Sequence, residues 1–166
     1  EQIRDWRERG LVRLVSINTS PLQYYDTSFA ERAIAYAQKL RLHPDSVAFE
    51  LTESYGVDDF EALKKSIDMM RRFGFKVMMD DFGIEHSTMG LLRELRVDGI
   101  KIDHTFVSGL RNSDHSVDSA LIKAIIDMGH KIGLRIVGEG IEDLTLKEII
   151  SEMGADYLQG DLYSMP

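Results

Sequence analysis

The chain has 166 residues, 43% hydrophobic and 29% charged, the balance of a folded domain and not of a disordered or collagen-like chain. Cysteine is absent, which excludes disulfides, thiolate zinc sites and a cysteine nucleophile, and no apolar run approaches the roughly 18 residues that span a bilayer. Twenty basic against 28 acidic residues give a net charge of −8, which argues against a protein that holds DNA or RNA by its phosphates. An acidic protein can still take a phosphate compound if metal cations reverse the local field.

In chain order, Glu1 to Arg9 reads as a charged helix closed by Gly10, a residue suited to the position after a helix end. Short stretches rich in apolar or β-branched residues then recur as strands. They are Leu11 to Ile17, Val47 to Leu51, Lys76 to Met79, Gly99 to Ile102, Leu134 to Val137 and Asp156 to Leu158. Most are near-continuous apolar runs, as parallel strands covered on both faces require. Helical patterns separate them. Residues 28–40 place Phe29, Ala33, Ala37 and Leu40 on one face, and residues 59–73 do the same with Phe60, Leu63, Ile67, Met70 and Phe73. Residues 87–95 carry Leu91, Leu92 and Leu95. Ser116 to Lys131 carries a stripe of Val117, Ala120, Leu121, Ala124, Ile125 and Met128, and residues 144–153 carry Leu146, Ile149, Ile150 and Met153. Strand–helix alternation of this kind predicts an α/β fold with a parallel sheet. The start inside a helical pattern and the stop at Pro166 lead us to expect a piece of a longer domain.

The polar residues that follow the apolar runs are the informative ones. Asn18 ends the first strand. Glu50 lies within the second and Glu53 follows it. Asp80 and Asp81 end the third, Lys101 and Asp103 mark the fourth, Glu139 follows the fifth and Gln159 the sixth. Parallel strands deliver their C-terminal ends to one rim, where β/α barrels build active sites. Carboxylates with an amide oxygen and no thiolate suit hard cations, Mg²⁺, Mn²⁺ or Ca²⁺. Two adjacent acids can serve two metals if the backbone turns both inward, the arrangement used for in-line attack on a phosphodiester. Lys101 is then placed to offset developing charge, and Glu139 to accept a proton from water. A lone acid at a strand end is most often a helix cap or a solvated loop residue. Recurrence on consecutive strands is what gives the pattern weight. The five histidines show no metal-ligand spacing and read as loop or surface residues.

From Val15 to Pro166 the chain resembles the EAL-domain family of cyclic-di-GMP phosphodiesterases. The matching motifs are SINTSP (16–21), FELTES (49–54), DDFG (80–83), VDGIKID (97–103), VGEGIE (137–142) and LQG (158–160). The resemblance implies a TIM-like β/α barrel, here a fragment with six of its strands, residues 1–166 forming an N-terminally truncated EAL domain. It implies hydrolysis of cyclic di-GMP to the linear dinucleotide with two Mg²⁺ or Mn²⁺ ions. The family's metal ligands fall on Asn18, Glu50, Asp80 and Asp81, its lysine near the attacking water on Lys101 and its catalytic glutamate on Glu139. Glu53 corresponds to the glutamate that steadies the loop after the Asp pair, and Glu142 and Gln159 to substrate-side residues. The expected partners are cyclic di-GMP, a second copy in a homodimer, and sensory or GGDEF domains beyond this chain, in the cytoplasm or on the cytoplasmic side of a membrane-bound sensor.

Three departures from the family pattern stand out. The Glu-Ala-Leu motif, which carries a metal ligand, is absent. The loop usually read Asp-Phe-Gly-Thr-Gly-(Tyr/Phe)-Ser-Ser is here Asp81-Phe82-Gly83-Ile84-Glu85-His86-Ser87-Thr88, with Glu85 in place of a glycine. Asp161 replaces the aromatic that follows Gln-Gly. An impaired domain that binds cyclic di-GMP or a protein partner without cutting is the alternative these changes raise.

Overall fold

A computed structural model describes residues 2–10, 14–26, 28–52, 60–83, 89–111 and 116–163. The elements alternate as the apolar periodicity predicts: α1 (Gln2–Glu8), β1 (Val15–Thr19), α2 (Pro21–Tyr25), α3 (Ser28–Lys39), β2 (Val47–Thr52), α4 (Phe60–Phe73) and β3 (Lys76–Phe82). There follow α5 (Met89–Glu94), β4 (Gly99–Ile102), α6 (His104–Gly109), α7 (Ser116–Lys131), β5 (Arg135–Gly138), α8 (Leu144–Met153) and β6 (Tyr157–Leu158). The strands lie in sequence order in one six-stranded sheet. Pairing is parallel for β1 with β2, β4 with β5 and β5 with β6. This is an α/β fold with the connectivity of a β/α barrel. No described helix is long and apolar enough to cross a membrane.

Two compact units share the chain. The first holds α1 through the opening of β3 together with α5, and the second holds the rest of β3 and everything from β4 onward. In the first unit, Val47, Ala48, Phe49 and Leu51 of β2 are all buried, with Leu63, Ile67 and Met70 of α4. Edge-to-face contacts run from Tyr24 to Phe29 to Phe49 to Phe75, with ring centroids 5.4, 6.2 and 5.1 Å apart. In the second unit, Ile100, Ile102 and Ile136 of the strands are buried with Ile122 and Ile126 of α7 and Leu146 and Ile150 of α8. Asp143 caps α8 by accepting from the Leu146 N–H at 2.9 Å, and Gly154, at φ 102°, ends it.

Most boundaries match the sequence reading. β3 runs on through both aspartates to Phe82, and the short helices α2 and α6 fall where the apolar pattern assigns no element. The expected face of α7 is wrong. The stripe of Val117, Leu121 and Ala124 on α7 faces outward, with Val117 67% and Leu121 44% exposed, while Ile122 and Ile126 face the core. Gly129 lies on the buried face. It stands on the Ile122–Ile126 stripe, and a Cβ there would lie 2.5 Å from Ile136 Cδ1, so this side of the helix packs closely on the strands. Ile122→Ala is therefore expected to cost about 2–5 kcal/mol of unfolding free energy. Leu121→Ala is expected to stay within about 0.5 kcal/mol. Urea unfolding in dilute solution distinguishes them; equal losses would restore the original face.

Candidate metal centre

Strand alternation should send Asp80 and Asp81 to opposite faces of β3. The backbone prevents this. Asp81 takes a left-handed conformation at φ 54°, one that costs about 1–2 kcal/mol for a residue with a side chain. The break in alternation brings one ligand oxygen from each of Asp80, Asp81 and Glu139 within 4.8 Å of one another. Glu139 directly follows β5, where its N–H donates to the Ile102 carbonyl at 3.2 Å.

Lys101, on β4 between them, is 3% exposed. Its ammonium reaches Asp80 Oδ1 at 3.0 Å and Glu139 Oε1 at 2.6 Å. Burial, together with the neighbouring carboxylates of Asp80 and Asp103, pushes the Asp81 carboxyl above its ordinary range, against the pull of Lys101 and His104. Three carboxylates around one ammonium leave excess negative charge. Hard divalent cations suit such an all-oxygen donor set, so the residues present fit the ions that the motifs imply.

Asn18 and Glu50 stand side by side in the first unit, paired in register at the ends of β1 and β2, with Glu50 buried. Glu53 and the altered loop at 84–88 lie outside the described residues. Glu142 follows Glu139 in the same segment and pairs with Arg111 at 2.9 Å, while Asp143 takes the other arm of that guanidinium at 2.8 Å. Gln159 continues the β5–β6 ladder through its backbone, its N–H donating to Gly138 and its carbonyl accepting from Ile141. Asp103 takes the capping role. It accepts from the Thr105 N–H at 2.8 Å and the Thr105 hydroxyl at 2.5 Å, and lies 3.0 Å from His104 Nδ1.

Arg111 is a residue the sequence reading does not reach. It anchors the far end of the segment that begins at Glu139, and no local pattern links it to residues some thirty positions on. Within that segment Gly140, at φ 68°, lies so close to α6 that a Cβ would meet His104 Cβ at 2.7 Å.

Removing the central ammonium tests the electrostatics. Because the folded Asp81 carboxyl already titrates above its ordinary value, its charge opposes folding increasingly as pH rises through that range. Lys101→Met removes an opposing influence, and breaking a buried pair costs about 3–5 kcal/mol near neutrality. The melting-temperature deficit of Lys101→Met is therefore expected to widen from pH 4 to pH 7. A deficit equal at both pH values would mean that Lys101 acts through packing alone.

The sequence matches the EAL domain family over residues 1–166. It is 29% identical over 166 residues to the bifunctional diguanylate cyclase/cyclic di-GMP phosphodiesterase MucR of Pseudomonas aeruginosa, covering 99% of this chain and 24% of that protein. Among solved structures, the EAL domain of Mycobacterium smegmatis DcpA superposes with a TM-score of 0.89 at 32% identity, over 99% of this chain and 74% of that one. A manganese/cyclic-di-GMP complex of Klebsiella pneumoniae BlrP1 gives 0.83 at 25% identity, over 97% of this chain and 41% of that one. The chain spans about a fifth to a quarter of the length of the curated relatives it matches. By the match along its whole length, this chain belongs to the EAL domain family.

Proposed function

We propose that this protein hydrolyses one phosphodiester of cyclic di-GMP to give the linear dinucleotide, with two divalent cations, Mg²⁺ or Mn²⁺, held at its acidic strand ends. The observation that carries the reading is the clustering of Asp80, Asp81 and Glu139 around buried Lys101. The phosphodiesterase activity in the name of MucR and the cyclic dinucleotide with manganese bound to BlrP1 support it.

Asn18, Glu50, Asp80 and Asp81 are the cation ligands in this reading. When bound, the cations polarise the phosphoryl oxygen and make water a better nucleophile at neutral pH. Glu139 takes the proton of the attacking water as its oxygen bonds to phosphorus and the bond to the leaving ribose oxygen breaks. Lys101 holds Glu139 in place at 2.6 Å and offsets negative charge as it develops. Glu53 steadies the loop after the aspartate pair, and Glu142 and Gln159 lie on the substrate side. The protein works in the cytoplasm as a homodimer, with the exposed apolar face of α7 as the contact. The diguanylate cyclase half of MucR's name supports attachment to a GGDEF domain.

Turnover of cyclic di-GMP with Mn²⁺ tests the reading, and the linear dinucleotide is the expected product. Tight binding without product would assign the protein to the receptors, as the Glu85 substitution in the loop favours. In the active protein, Glu139→Gln keeps the side chain's shape but cannot take a proton. It is expected to lower kcat by about 10²–10⁴-fold while nucleotide binding, followed by calorimetry, changes little. Near-normal kcat in this variant would remove Glu139 from the base role.

For the homodimer, light scattering should give twice the chain mass for the native protein and a monomer for Leu121→Asp. A monomeric native protein would end that part of the proposal.

A further inference from the structure

The geometry points to Thr19 and Tyr24 as positioning residues for the cation ligands Asn18 and Glu50, an inference that rests on the reading of those two residues as ligands. Tyr24, on α2, is fully buried, and its hydroxyl lies 2.9 Å from Thr19 Oγ1. Thr19 Oγ1 lies in turn 2.6 Å from the backbone carbonyl oxygen of Glu50. A carbonyl only accepts and a threonine hydroxyl has one proton to give. Thr19 therefore donates to Glu50, and Tyr24 must donate to Thr19. The order of the chain is fixed: Tyr24 to Thr19 to Glu50. Burial pushes the Tyr24 phenol up to about 12, which keeps its proton in place throughout the physiological range.

Tyr24 is itself fixed from other sides. Ser66 on α4 donates its hydroxyl to the Tyr24 carbonyl at 2.9 Å, and the ring packs edge-on against Phe29 with centroids 5.4 Å apart. Thr19 directly follows Asn18, and Asn18 is in register with Glu50 on the parallel pair. One hydroxyl thus ties the backbone beside one ligand to the backbone of the other. Apolar residues of similar size would fill this part of the core without two buried hydroxyls that each need a partner. What the hydroxyls add is direction, because they set the relative position of two strand ends at hydrogen-bond tolerance. Supporting partners of metal ligands, when removed, typically weaken metal affinity by about 10–100-fold.

The test is Mn²⁺ affinity of the metal-free protein, read by electron paramagnetic resonance of free Mn²⁺, with urea unfolding of each metal-free variant alongside. Tyr24→Phe and Thr19→Val are expected to raise the Mn²⁺ Kd about tenfold. Thr19→Ser, which keeps the hydroxyl, should retain the native Kd, a rescue that loss of packing alone does not predict. Glu50→Gln is the check on the underlying reading. If it leaves Mn²⁺ binding unchanged, Glu50 is no ligand and the inference falls with it. If Glu50→Gln weakens binding while Tyr24→Phe and Thr19→Val stay within twofold of native, the ligand stands and the positioning role is overturned. Should Tyr24→Phe fail to fold, the Thr19→Ser and Thr19→Val pair decides, and equal Kd values for serine and valine would overturn the role.

Discussion

A lysine ammonium buried between two carboxylates is the interaction on which the second unit's chemistry depends. Left alone in the interior, the charge of Lys101 would cost several kcal/mol or be lost to deprotonation. Asp80 and Glu139 make it tolerable, and Lys101 in turn makes their proximity tolerable. The three groups come from β3, from β4 and from the residue after β5, so the ion pairs form only when these segments stand in their native order. Asp81 joins them, and burial, with the carboxylates of Asp80 and Asp103 beside it, holds its carboxyl above the ordinary range against the pull of Lys101 and His104. The arrangement is thus unfinished as a set of side chains. It holds more negative charge than one lysine balances, which is the condition under which a divalent cation binds with gain.

Much of this was legible in the sequence because parallel strands convert position along the chain into position on a rim. Once apolar runs mark the strands, the residue after each run is placed, and Asp80, Lys101 and Glu139 meet as the pattern requires. Asp81 is a different case. Strict alternation would have sent it away from Asp80, and only the left-handed backbone turns both to one side. A sequence can carry two adjacent aspartates without stating the dihedral angle that decides their use. Asp103 shows the converse, since it looked like one more acid of the rim and serves as a helix cap.

The misplaced face of α7 has a related cause. The helix is apolar on overlapping stripes, and the spacing of Val117, Leu121 and Ala124 is as helical as that of Ile122 and Ile126. One residue of the buried stripe has no side chain. Gly129 lies on the buried side, where a Cβ would press on the tip of Ile136, so a small residue favours close packing there. Long-range polar partnerships were out of reach for another reason. Arg111 with Glu142 and Asp143, and Thr19 with the Glu50 carbonyl, join residues about thirty positions apart, and no period or spacing in the chain encodes them.

The chain's charge bears on how an anionic nucleotide would be held. With a net charge of −8, the protein as a whole repels a phosphodiester. Among the described residues, Lys101 is engaged by Asp80 and Glu139, and Arg111 by Glu142 and Asp143. In the proposed reaction bound metal would supply attraction for phosphate that these engaged side chains do not. That links the two steps, because a site too poor in metal to activate water is also too negative to gather substrate. Binding and cleavage would then rise together with divalent cation concentration. In that reading the strand-end acids would serve substrate capture as much as chemistry, although none of them would attract the substrate on its own.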